Sequence, residues 1–119
     1  MLYKTLLIAL LFTFLNVSEP IDTWGKIYLK NYFDEVSVNW STMQECNEKM
    51  FYVEESYNTR TWMVIDSLPA IGGNSETYYG ITYCTELQGD IYIRIRKSNT
   101  DSTFAYSPIN TVNTLQTIK

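Results

Sequence analysis

No histidine occurs anywhere in this chain. That absence removes the Ser-His-Asp and Cys-His nucleophile arrangements, His-ligated zinc and a proximal haem ligand together. Cysteine is nearly as scarce: Cys46 and Cys84 are the only two. A lone pair in an oxidising compartment is better matched to a mutual disulfide than to a nucleophile or a metal pair. Glycine is sparse too, and Gly72-Gly73 lacks the strand–loop–helix context and the following Lys-Ser or Lys-Thr of a phosphate cradle. Basic residues number 9 against 13 acidic ones, a net charge of −4, and only Arg94, Arg96 and Lys97 cluster. An acidic chain repels phosphate, so nucleic acid is not the expected partner and the cluster reads as a solvated face. Carboxylates are plentiful, and a pair such as Asp66 with Glu86 has the groups for acid–base work, but no spacing singles out two of them. The expectation is a protein that is not an enzyme, with no catalytic residue, no cofactor and no metal.

What is present begins with an export pattern. Lys4 precedes a run from Leu6 to Leu15 broken only by Thr13, and Asn16-Val17-Ser18 follows just before Glu19-Pro20. This order of charge, apolar run and small residue predicts a helical signal peptide over 1–18; the run is too short to span a bilayer. A buried N-terminal helix is the blander alternative. Cleavage leaves residues 19–119 as a single domain of about 100 residues, which buries around two-thirds of its unfolded surface. The protein is then secreted and extracellular, with no membrane association once the signal is gone. Export makes a Cys46–Cys84 disulfide the expected staple, closing a loop of about 38 residues worth roughly 4 kcal/mol in the chain-entropy model. It also makes Asn39-Trp40-Ser41 a glycosylation sequon at Asn39, whereas Asn16-Val17-Ser18 leaves with the signal.

Strand signals dominate the remainder. Ten tyrosines and an aromatic content of 15% suit half-buried pleated surfaces. Ile27 to Leu29 and the alternating Val36 to Trp40 read as extended, and Thr61 to Leu68 as a strand stopping at Pro69. Thr77 to Leu87 reads as a long strand with a bulge or bend at Gly80. Gln88-Gly89-Asp90 reads as a hairpin turn into Ile91 to Lys97, which sets Ile91, Ile93 and Ile95 on one face and Tyr92, Arg94 and Arg96 on the other. Ser98 to Asp101 makes another turn before Thr103 to Tyr106, and the polar tail offers Val112, Leu115 and Ile118 as apolar contacts. Met43 to Tyr57 is the only candidate helix, and Phe51-Tyr52-Val53 within it favours an extended segment. The fold class is therefore all-β, an antiparallel meander.

Tyr57 to Pro69, with Trp62 followed by Met63-Val64-Ile65 and then Ser67-Leu68-Pro69, resembles the first strand of the lipocalin family. Cys46 upstream is similar to the cysteine common in the apolipoprotein-D-like and arthropod branches, and the cysteine-bearing strand beyond Pro69 continues as the next lipocalin strands would. The resemblance covers roughly residues 46–107; Arg60 stands where the family usually has Gly. It implies a partial or small lipocalin-like barrel that binds a small hydrophobic ligand. In that arrangement Trp62 closes the floor, Val64 and Asp66 line the wall with Tyr79, Ile81 and Tyr83, and Ile91, Ile93 and Ile95 complete an apolar surface. A chain with too few strands to close a barrel is also compatible with a homodimer. The same residues serve equally well as a plain hydrophobic core.

A different class of function uses the same positions. Cys46, Trp62 and Cys84 stand in the cysteine–tryptophan–cysteine order of immunoglobulin domains, though Thr82 occupies the place of the tyrosine expected two residues before the second cysteine. This reading gives a secreted β-sandwich protein-recognition module, or an inhibitor or effector that binds protein through exposed aromatics. Strand order separates the two: neighbouring hairpins belong to the barrel, crossing connections to the sandwich.

Overall fold

The computed structural model describes residues 24–114, and every helix or strand in that span is a strand. The signal segment over 1–18, Leu115 and Ile118 lie outside the described residues. The strands are β1 (Trp24–Tyr32), β2 (Glu35–Thr42), β3 (Glu48–Ser56), β4 (Met63–Pro69), β5 (Thr77–Cys84), β6 (Asp90–Asn99), β7 (Phe104–Tyr106) and β8 (Asn110–Asn113).

They form two antiparallel sheets. One has the order β1-β2-β5; the other has the order β4-β3-β6, with β7 and β8 pairing successive stretches of β6 on its free side. Alternation explains which face each strand buries. Val36, Val38 and Trp40 of β2 and Tyr79 of β5 point to one interior, and Phe51, Val53, Ile91, Ile93 and Ile95 of the other sheet meet them there. Four aromatic rings fill one end of that interior. Trp40 stacks on Tyr79 with centroids 5.4 Å apart, and Phe51 packs at 4.8 Å from Tyr79 and edge-on to both Trp24 and Trp40.

All-β antiparallel character is thus as expected, the sheets do not close into a barrel, and the strand order is not that of a meander. Its connections pass from β2 to β3, from β4 to β5 and from β5 to β6, each crossing from one sheet to the other. The hairpin expected at Gln88-Gly89-Asp90 is one of these crossings. Gly89 does take the positive φ of +89°, yet the segment is tied elsewhere: Thr85 N donates to Asp34 O, and Thr114 N donates to Gly89 O. The physical reason lies in the two apolar faces. Tyr79-Ile81-Tyr83 and Ile91-Ile93-Ile95 each bury one side, and facing sheets bury both against each other, which eight short strands achieve without closing a ring. One flank is tied, with Asn31 Nδ2 donating to Asn113 O at 3.0 Å. The other flank, between β4 and β5, stays open.

Of two local expectations, the extended reading of Phe51-Tyr52-Val53 holds and the bulge at Gly80 does not. The stretch considered for a helix contains β3, because Phe51 and Val53 alternate with Tyr52 and Glu54 in a strand buried on the core side. Gly80 carries no bulge, since Asn39 faces it in an unbroken register. Register irregularities lie elsewhere: at Ile65, where Val53 faces Asp66 but Glu54 faces Val64, between Trp24 and Ile27 of β1, and between Glu48 and Met50 of β3.

Cys46 and Cys84 are both free and exposed, so the expected disulfide is absent. Cys84 faces Glu35 at the start of β2, whereas Cys46 lies beyond Thr42 at the other end. The seven steps from Glu35 to Thr42 span about 23 Å at roughly 3.3 Å per residue. A bridge needs Cα atoms within about 7 Å. The thiols sit at opposite poles.

Candidate functional site

The outer face of the five-stranded sheet carries interleaved arginines and aromatic rings. Arg94 and Arg96 are two residues apart on β6, so both turn away from the core that Ile93 and Ile95 enter. The Arg94 guanidinium carbon lies 4.1 Å from the centroid of the Trp62 ring and 4.0 Å from that of Tyr106. Arg96 lies 4.2 Å from Tyr52 and 5.0 Å from Phe104. Each cation is held between two π faces, an arrangement worth about 0.5–1 kcal/mol per contact where solvent reaches it.

Glu54 locks both. Its carboxylate accepts from Arg94 Nε at 2.7 Å and from Arg96 Nε at 2.8 Å, and the residue is buried. Pairing places it there: Glu54 faces Arg94 and Tyr52 faces Arg96 across β3 and β6. Two cations and one anion leave this patch positive in a chain of net charge −4.

Two local devices place the outer rings. Ahead of Trp62, Asn58 Oδ1 accepts from Arg60 N and Thr61 N, and Ser56 Oγ accepts from Asn58 N and Thr59 N. That turn, with Thr59 at φ +62°, sets Trp62 so that its Nε1 donates to Thr59 O at 3.2 Å. On the other side Ser107 fastens the end of β7: its N donates to Ile95 O, and its Oγ accepts from Ile95 N, both at 2.8 Å. Tyr106, one residue earlier, faces Arg96 across the β6–β7 pair. Phe104 and Tyr106 remain 58% and 49% exposed.

The open flank forms a second feature, an apolar cleft of about 370 Å³ whose walls include Tyr57, Thr61, Met63, Ile65, Cys84 and Leu87. Behind it the Tyr83 hydroxyl donates to Glu55 at 2.7 Å. Burial first, and the bond to this carboxylate second, hold the Tyr83 phenol well above its ordinary ionisation range.

The residues expected to line a cup are scattered. Tyr79, Ile91, Ile93 and Ile95 are buried in the filled interior, and Ile81 and Tyr83 pack half-buried against it. Trp62 lies outside the sandwich on Arg94. Val64 and Asp66, expected on one wall, are both exposed, because the extra residue at Ile65 turns them to opposite faces. The outward placement of Arg94 and Arg96 on β6 was legible in the sequence, whereas the partnership of Tyr52, Glu54, Phe104 and Tyr106 with them was not. A signal was present. Phe104-x-Tyr106 repeats the two-residue spacing of Arg94-x-Arg96 on the next hairpin strand.

No protein-family model, curated protein or solved structure matches this chain.

Proposed function

We propose that this chain is a secreted β-sandwich recognition module that binds a protein partner on the outer face of its five-stranded sheet. The observation that carries this reading is the Trp62–Arg94–Tyr106 and Tyr52–Arg96–Phe104 stacking, braced by Glu54. Bracing fixes long side chains before any partner arrives, which lowers the ordering cost of association. Aromatic and arginine side chains are also those that dominate interface energetics. The positive balance of the patch favours a partner surface that combines apolar side chains with a carboxylate. The test is a screen of the purified chain against an array of extracellular protein domains, repeated with Phe104→Ala and Tyr106→Ala. Partners bound by the parent chain should lose at least tenfold in affinity with either variant. Partners that bind both variants as tightly as the parent would overturn the assignment of this face.

The cleft between β4 and β5 supports a second reading, the binding of a small hydrophobic ligand. Its walls are largely apolar and its volume lies at the lower end of the range for small-molecule sites. An environment-sensitive apolar dye should bind the parent chain and be lost on Ile65→Asp. Absence of dye uptake across the micromolar range would dispose of this reading without touching the first.

A further inference from the structure

We infer that Asn39 is an N-glycan attachment site whose first sugar packs between Tyr28 and Tyr78 on the outer face of the three-stranded sheet. The inference rests on the export component of the proposed function and goes beyond it, because it assigns a chemical role to the opposite face of the sandwich.

The sequon Asn39-Trp40-Ser41 lies in β2, the middle strand of that sheet. Trp40 points inward to the aromatic core, so Asn39 points outward and is exposed. Its carboxamide takes no hydrogen bond among the described residues, so its Nδ2 is available for substitution. Across the strands it faces Tyr28 on one side and Gly80 on the other. The glycine matters here. A Cβ on residue 80 would lie 2.4 Å from Asn39 Oδ1, so glycine lets the carboxamide rest over β5 in this position.

Beside Asn39 is a shallow depression of about 330 Å³ bordered by Lys26, Tyr28, Ser41, Glu76 and Tyr78. Tyr28 and Tyr78 are 58% and 71% exposed, a large uncovered aromatic area on an otherwise polar face. Pyranose rings present apolar C–H faces to aromatic rings and hydroxyls to charged groups, and Lys26 and Glu76 supply the latter. Ser41 is buried and donates to Glu76 at 2.7 Å. That is no obstacle, because transfer onto a sequon occurs while the chain is still unfolded.

The transfer balances with a donor of one class, an oligosaccharide joined through N-acetylglucosamine to a lipid diphosphate. A bond forms between Asn39 Nδ2 and sugar C1. The C1–O bond to the diphosphate breaks, the diphosphate leaves with the electron pair, and the amide proton passes to it or to solvent. A glycan so placed covers the three-stranded face and leaves the arginine–aromatic face clear, since the two lie on opposite sides of the core.

The experiment expresses the full chain in cultured animal cells with its own leader and, in parallel, with a foreign one. Secreted protein is denatured and digested with peptide N-glycanase in heavy-oxygen water, then mapped by mass spectrometry. The expected result is loss of a core glycan and a heavy aspartate at position 39, with both signals absent from Asn39→Gln and Ser41→Ala. Secreted chain with unmodified Asn39 from either leader overturns the inference. Retention with the native leader, alongside a glycosylated product from the foreign one, overturns export instead and leaves the site assigned. For the packing, the double variant Tyr28→Ala/Tyr78→Ala should keep full occupancy but lose the Tm gain of glycosylated over deglycosylated protein. An unchanged gain overturns the role of the two tyrosines.

Discussion

Tyr79 donates its phenolic hydroxyl to the Glu45 carboxylate at 2.6 Å, and both residues are buried. This contact joins β5 to the crossing between β2 and β3. The same carboxylate accepts from the Thr42 hydroxyl and, at 2.7 Å, from Gly72 N, while Glu45 N donates to Gly73 O at 3.1 Å. Ile71 N in turn donates to the Tyr79 hydroxyl at 2.9 Å. Two crossing loops at one pole are therefore fastened to a single acid. Replacing Tyr79 with Phe leaves that acid buried with one donor fewer, at a cost of about 1–3 kcal/mol measured by urea unfolding.

Alkaline pH should weaken the fold through the same hydroxyl and its neighbour. Burial, and then the bond to Glu45, push the Tyr79 phenol from 10 up to about 12; Tyr83 is raised in the same sense by burial and Glu55. Both groups keep a proton in the folded chain at pH values where the unfolded phenol has lost it. Their contribution is complete below pH 10 and falls as pH rises through the folded-state values. Unfolding free energy should decline from pH 10 toward 12, and the double variant Tyr79→Phe/Tyr83→Phe should flatten that slope. Tyrosinate absorbance rising for all described tyrosines together near pH 10, with the fold intact, would contradict this.

Glu54 should matter more than an ordinary ion pair. It is buried, and its removal strands two guanidinium groups at once. Glu54→Ala is expected to cost about 3 kcal/mol, against less than about 1 kcal/mol for an exposed pair. The loss should persist in high salt, since the carboxylate is shielded from mobile ions. Trp62 fluorescence should shift as well, because Arg94 no longer has the anchor that holds it over the indole.

Neither thiol contributes a crosslink. Cys46→Ser/Cys84→Ser should unfold within about 0.5 kcal/mol of the parent, as exposed substitutions do. Reductant should leave the Tm unchanged, and a thiol titration of the native protein should count both residues. A Tm that drops on reduction would show a bridge that the separation of the two poles forbids.

Two glycines on the same sheet should respond to alanine to different degrees. At Gly25 a Cβ would lie 2.0 Å from Ser41 Oγ, and Ser41 is buried and held by Glu76. Gly25→Ala should cost about 1–3 kcal/mol through overpacking. At Gly80 the crowded atom is the far end of the exposed Asn39 side chain, which swings aside. Gly80→Ala should change stability by less than about 1 kcal/mol, since alanine also gives up less backbone entropy in a strand. Thermal melts of the two variants side by side decide it.

Strand identity was legible wherever period-two alternation was strong. Val36 to Trp40 and Ile91 to Ile95 appear as expected, with the expected residues inward, and Val112 packs on the core as the tail pattern indicated. β3 was obscured because Glu54, Glu55 and Ser56 look like a solvated stretch, yet the sheet pairs and buries all three. The arginine–aromatic face was half visible. Arg94 and Arg96 were placed outward, but Tyr52, Trp62, Phe104 and Tyr106 come from three separate segments that only strand pairing brings together.

The sequence by itself determined that this chain makes antiparallel strands and which side of most strands is greasy, because alternation is a property of adjacent residues. Only the tertiary structure decided which strands are neighbours. A short connection such as Gln88-Gly89-Asp90 serves a hairpin or a crossing equally well, and the choice is made by burying two apolar faces against each other. That choice filled the interior, parted the two cysteines and set two arginines among four rings on the outside.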